Sequence, residues 1–106
     1  MLANKITANT LTQQALTVLK LNGWVVWRNN NLAVKGRAFI GRVGVPDIIG
    51  FNKKDGRFIA VEIKVGRDKL SPEQKLFLEY VNKAGGVGIE CRCIEDIINH
   101  SIINYK

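Results

Sequence analysis

Three charged residues stand where the chain is otherwise apolar and strand-like. Asp47 leads into Ile-Ile-Gly-Phe, and Glu62 and Lys64 end the run Phe-Ile-Ala-Val-Glu-Ile-Lys. Ionised side chains belong at the surface unless they are paired or bound to a cation. Two carboxylates with a lysine beside them form a donor set for a hard divalent cation such as Mg²⁺, which takes oxygen ligands from one or two carboxylates. Such a cation places water and stabilises a leaving oxygen, and a lysine beside it orients the water or offsets developing charge.

The elements that must position this trio are readable from the flanks. Val45 to Phe51 and Phe58 to Val65 read as strands, and Asp55-Gly56 between them is a tight-turn pair. An antiparallel hairpin uses up the 14 residues from 48 to 61, so Asp47 and Glu62 converge on one edge of the sheet. Phe58, Ala60, Glu62 and Lys64 share one face, and Ile59, Val61, Ile63 and Val65 the other. The Ile63 side chain is then inward, while its backbone carbonyl is free to add a metal ligand. Pro46 fixes the backbone before Asp47, and Gly44 leaves room for a close approach.

Around this hairpin the spacing predicts a helix from about Thr10 to Asn22, with Leu11, Ala15, Leu16, Val18 and Leu19 inward and Thr12, Gln13, Gln14, Thr17 and Lys20 outward. Trp24 to Arg28 is a short strand whose tryptophans are expected in the core. Ser71-Pro72-Glu73-Gln74 opens a second helix with a capping box, with Leu76, Phe77, Tyr80, Val81 and Ala84 as its buried stripe. Val87 to Cys93 is the last strand, and Ile94 to about Ile103 a closing helix. The Phe58 strand, the Ser71 helix and the Val87 strand make a βαβ unit with parallel strands and a right-handed crossover. The sheet is therefore mixed, with helices packed on it, and the 106 residues argue for one domain over 1–106.

Composition limits the partner. The chain has 16 Lys and Arg against 9 acids, a formal charge of +7 and a pI near 9.7. That balance on a small domain points to a polyanion. No basic amphipathic helix, signal peptide or membrane-spanning run is present, so nucleic acid ranks above a membrane surface and an intracellular, cytoplasmic location is expected. Arg28, Lys35, Arg37 and Arg42 fall in or beside a glycine-rich stretch that meets no acid, which suits phosphate contact; Lys69 extends the basic set. Cys91 and Cys93 lack the spacing and histidines of a zinc site and are expected as buried free thiols. Cation chemistry on a basic surface amounts to cleavage of nucleic acid, with no small-molecule cofactor implied.

At this point Gly-Val-Pro-Asp-Ile-Ile-Gly, Val-Glu-Ile-Lys and Leu-Ser-Pro-Glu-Gln-Lys, taken together, resemble the VRR-NUC branch of the PD-(D/E)XK nuclease superfamily, over roughly residues 10 to 98. The resemblance implies an αβββαβ(α) restriction-endonuclease-like core, an α/β fold with a mixed four-stranded sheet flanked by helices. It implies that Asp47 and Glu62 bind Mg²⁺ or Mn²⁺, that Lys64 is the catalytic lysine, and that Gln74 is a further polar residue of the active site. The last role competes with the capping box, since one glutamine side chain does not easily serve both. The resemblance also implies a homodimeric endonuclease acting on branched DNA such as a Holliday junction. One departure stands out: family members often carry an acid on the first helix, and Asn9 to Asn22 contains no Asp or Glu. Gln13, Gln14 or water is then expected in its place. Two readings compete: a nucleic-acid-binding module with a degenerate, weakly active site, and a basic structural subunit in which Glu62 and Lys64 are an ordinary surface ion pair, worth little.

Overall fold

A computed structural model of the protein describes residues 5–29 and 44–103. Seven elements follow one another: α1 (Ala8–Leu21), β1 (Trp24–Arg28), β2 (Ile48–Asn52), β3 (Phe58–Ile63), α2 (Pro72–Lys83), β4 (Val87–Cys91) and α3 (Glu95–Ile98). The strands form one sheet in the order β1-β2-β3-β4. β1 and β2 pair antiparallel, as do β2 and β3, while β3 and β4 are parallel. The expected hairpin, βαβ unit and mixed four-stranded α/β sheet are all present.

Each sheet face is covered according to its side chains. Leu11, Ala15, Leu16 and Leu19 of α1 pack with Trp24, Val26, Ile48, Ile59, Val61 and Ile63, and α3 adds Ile97 to the same cluster. α2 lies on the opposite face, where Leu78 and Val81 pack on Ala60. Small residues let that helix come close: a Cβ at Gly88 would sit 2.7 Å from the Leu78 carbonyl oxygen. Among the described residues no helix is long and apolar enough to cross a membrane.

Several expectations need correction. α1 starts two residues early, because Thr7 is its N-cap and accepts from the Thr10 N–H at 3.0 Å. Thr12, expected outward, is buried; its hydroxyl donates to the Ala8 carbonyl at 2.7 Å and so enters the interior satisfied. Asp47 precedes its strand rather than belonging to it, and β3 and β4 each end two residues early. On α2 the inward line is Gln74, Leu78 and Val81, whereas Leu76 and Tyr80 are exposed. Only one tryptophan is core: Trp24 is buried, but Trp27 lies on sheet that α2 does not cover and meets Phe51 edge-on at 6.5 Å. Cys91 is buried and Cys93 exposed, because the strand stops between them. The closing helix is one turn, Glu95–Ile98.

Candidate metal centre and the neighbouring cleft

The register of the hairpin sets the two carboxylates opposite each other. Ile48 pairs with Val61, so one step further along the antiparallel ladder Asp47 faces Glu62. The Asp47 carboxylate is held there: its Oδ2 accepts the Ile63 N–H at 2.9 Å, and its carbonyl accepts the Asn29 N–H at 2.7 Å. The Asp47 loop therefore ties the end of β1 to the end of β3.

Glu62 is 3% exposed, more deeply buried than Thr12, the other buried polar or charged residue among those described. Its Oε1 accepts from Gln74 Nε2 at 3.2 Å and lies 3.9 Å from Lys64 Nζ. Its Oε2 is buried without a hydrogen-bond partner among the described residues. Burial pushes the Glu62 carboxyl up to about 8, and the facing Asp47 carboxylate pushes the same way. Lys64 pulls it down, but at 3.9 Å it does not win. Lys64 just passes the end of β3, where its N–H donates to the Cys91 carbonyl at 3.0 Å and holds it in line with Glu62. Cys91, by contrast, is pushed up to about 12 chiefly by burial and stays a thiol in the apolar core.

Gln74 both caps α2 and reaches Glu62. Its Oε1 accepts the Ser71 N–H at 2.8 Å and its own N–H donates to Ser71 Oγ at 3.1 Å, which completes the capping box. The two ends of a carboxamide are separate groups, so Oε1 caps while Nε2 reaches Glu62.

On the other side of Asp47 is a cleft of about 300 Å³, lined by Ala8, Asn9, Thr12, Arg28, Asn29, Asp47 and Ile63. Arg28 Nη2 donates to Asn9 Oδ1 at 2.6 Å, and Arg28 Nε is buried without a partner among the described residues. Here the sequence reading missed Asn9 and Thr12. Gln13 and Gln14 do not approach Asp47; both are exposed and border a groove with Thr10, Thr17, Val18 and Ile94. The signal that finds Asn9 is Thr7 as a helix cap, which puts Asn9 in the first turn. Glu62, Lys64 and Gln74 do not line the cleft; they join it through Asp47 and Ile63. Lys69 is exposed in the loop that leads into α2. Lys35, Arg37 and Arg42 lie outside the described residues.

The donor set fits a hard cation. Glu62 Oε2 is a buried oxygen that meets no donor among the described residues, and a second carboxylate faces the group. Among the described residues no group of three or more His, Cys, Asp or Glu exists, so protein carboxylates supply at most two ligands there. Residues 25–94 match the family model of the VRR-NUC domain. No curated protein matches the chain. The matched span holds Asp47, Glu62, Lys64 and Gln74 and leaves out α1, which contributes Asn9 and Thr12 to the cleft.

Proposed function

The chain belongs to the VRR-NUC family, whose domain is of nuclease type, and from that premise we propose that it is a divalent-metal-dependent DNA endonuclease. The observation that carries the reading is the buried Glu62 carboxylate, with one oxygen held by Gln74 near Lys64, the other without a donor among the described residues, and the Asp47 carboxyl facing the group. Asp47, Glu62 and the Ile63 carbonyl would hold Mg²⁺ or Mn²⁺. The cation supplies a polarised water and stabilises the leaving oxygen. Lys64 offsets charge that builds on the phosphate. Gln74 orients Glu62. Arg28, fixed by Asn9 beside Asp47, contacts a phosphate of the strand, and Lys35, Arg37, Arg42 and Lys69 extend the DNA surface. These backbone contacts position DNA without reading its sequence.

Preference for branched DNA such as a Holliday junction, and action as a homodimer, complete the proposal. A two-fold dimer presents two sites to two equivalent strands. What supports a dimer is the exposed pair Leu76 and Tyr80, four residues apart on α2 and 47% and 60% exposed. The acid-free α1 side of the cleft favours a second reading, a DNA-binding module with a degenerate site.

One assay separates them. Four-way junction and linear duplex are incubated with Mg²⁺, Mn²⁺ or EDTA, for the wild type and Lys64→Ala. Cation-dependent cleavage of the junction by the wild type alone is the expected result. Tight junction binding with equal inactivity of both proteins would leave the binding module standing.

A further inference from the structure

Ser71 and Gln74 are tied to each other twice: the Ser71 backbone N–H fixes how the Gln74 carboxamide is turned, and the Ser71 hydroxyl fixes the Gln74 backbone that carries it. Ser71 N–H holds Gln74 Oε1 at 2.8 Å, and Ser71 Oγ holds the Gln74 N–H at 3.1 Å. With the oxygen taken, the nitrogen is the end left for β3, and it donates to Glu62 Oε1 at 3.2 Å. Turning the amide over would set its oxygen against the carboxylate and its nitrogen against the Ser71 N–H. Glu62 Oε1 is also the oxygen that Lys64 approaches, at 3.9 Å. Oε2 receives nothing among the described residues although it is buried. The two oxygens of one carboxylate are thus unequal: Oε1 is held by Gln74, and Oε2 has no donor among the described residues while the Asp47 carboxyl interacts with the group.

The turn that holds Gln74 is located from the opposite side as well. Gly44 has φ +86°, and a Cβ there would come within 3.0 Å of the Glu73 backbone. The loop that carries Asp47 therefore lies directly against the first turn of α2. This one turn thus touches both sides of the site, Glu62 through Gln74 and the Asp47 loop through the close contact at Gly44.

We propose that Ser71 is a positioning residue: its hydroxyl fixes the first turn of α2, so that its own N–H meets Gln74 Oε1 and the carboxamide nitrogen holds Oε1 of Glu62, leaving Oε2 as the oxygen that takes the divalent cation. This rests on the nuclease reading of the site given above. Ser71 itself touches neither cation nor DNA. It stands one step further out than Gln74, in the shell that orients a ligand and sets its affinity.

The test is Mn²⁺ binding to the full chain, measured by titration calorimetry without DNA and paired with thermal unfolding. Ser71→Ala is expected to weaken Mn²⁺ binding about 10-fold, the loss typical of an orienting partner. Ser71→Gly removes the same hydroxyl while nearly keeping the helix start, so it shows the same loss if Ser71→Ala folds poorly. Ser71→Asp keeps a capping acceptor and restores binding. In a Gln74→Ala background, Ser71→Ala adds no further loss, because its effect passes through Gln74. Unchanged Mn²⁺ affinity in Ser71→Gly, or losses that add in full in the Gln74→Ala background, would overturn the proposal. A wild-type chain that binds no Mn²⁺ would overturn the nuclease reading beneath it, a result distinct from either.

Discussion

Two stretches of this sheet carry nearly the same local sequence and have different fates. Glu62-Ile63-Lys64 closes β3, and Glu90-Cys91-Arg92 closes β4, with Glu62 and Glu90 in register on neighbouring parallel strands. Each pairs an acid with a base two residues on, so each pair projects on one face. On β4, an edge strand of the sheet, Arg92 Nε meets Glu90 Oε2 at 2.7 Å, with both side chains more than a third exposed. Water solvates that pair, and it contributes little. On β3 the partners are 3.9 Å apart, the acid is nearly sealed off, and a second carboxylate faces it. The better ion-pair geometry is thus at the exposed position. The pair proposed to carry the chemistry is the one whose charges are under-compensated.

The sharpest way to break this comparison is to truncate both bases. Lys64→Ala should lower DNA cleavage by roughly 10²–10³-fold, the scale of losing one preorganised electrostatic group. Equal losses from Lys64→Ala and Arg92→Ala would mean that burial does not distinguish the two pairs.

A pH series sharpens the difference on the acid side. The Glu62 carboxyl lies near 8 in the folded chain, above its value in the unfolded one, about 4.3. Between those values the folded protein keeps a proton that the unfolded chain has released. Without divalent cations, this group therefore makes stability fall as pH rises from about 4.3 to about 8. Urea unfolding across that range should show the slope, and Glu62→Gln should flatten it. Adding Mn²⁺ at pH 8 should raise the melting temperature of the wild type and leave Glu62→Gln nearly unmoved.

Gly44→Ala probes the loop that faces Glu62 and has no counterpart beside Glu90. A side chain at φ +86°, within 3.0 Å of Glu73, should cost about 1–3 kcal/mol in urea unfolding. A neutral outcome would mean that α2 gives way without cost. Arg28→Ala should weaken DNA binding and reduce the slope of log affinity against log salt by about 1, as one lost phosphate contact does; an unchanged slope would remove the cleft from the DNA surface. The smallest effect belongs to the β4 pair. Arg92→Ala should change stability by at most about 1 kcal/mol and leave cleavage intact, although Arg92 also donates to the Asp68 carbonyl at 2.7 Å.

Much of the fold was written in local pattern. Alternation along Phe58–Ile63 separates Ile59, Val61 and Ile63 from Ala60 and Glu62, and the structure keeps that division. The Ser71 cap and the hairpin turn at Asp55-Gly56 are decided by neighbours a few residues apart, so sequence suffices for them. The inward line of α2 is different. Leu76, Phe77, Leu78, Tyr80 and Val81 offer more than one apolar stripe, and local chemistry does not choose among them. The small residues Ala60 and Gly88, on two other strands, accept Leu78 and Val81, and that rotation sends Gln74 to Glu62 and turns Leu76 and Tyr80 outward.

The site divides in the same way. The sequence by itself determined that two carboxylates and a lysine meet at the end of a hairpin in a basic chain, because residue types and period-two geometry are local properties. That Glu62 is the under-compensated acid while Glu90 is an ordinary surface one was decided only by tertiary structure. So were the place of Asn9 beside Arg28 and the double duty of Gln74. Each depends on which distant element covers a side chain and withholds water from it. Desolvation is set by the whole packed molecule, and no short stretch of sequence carries it.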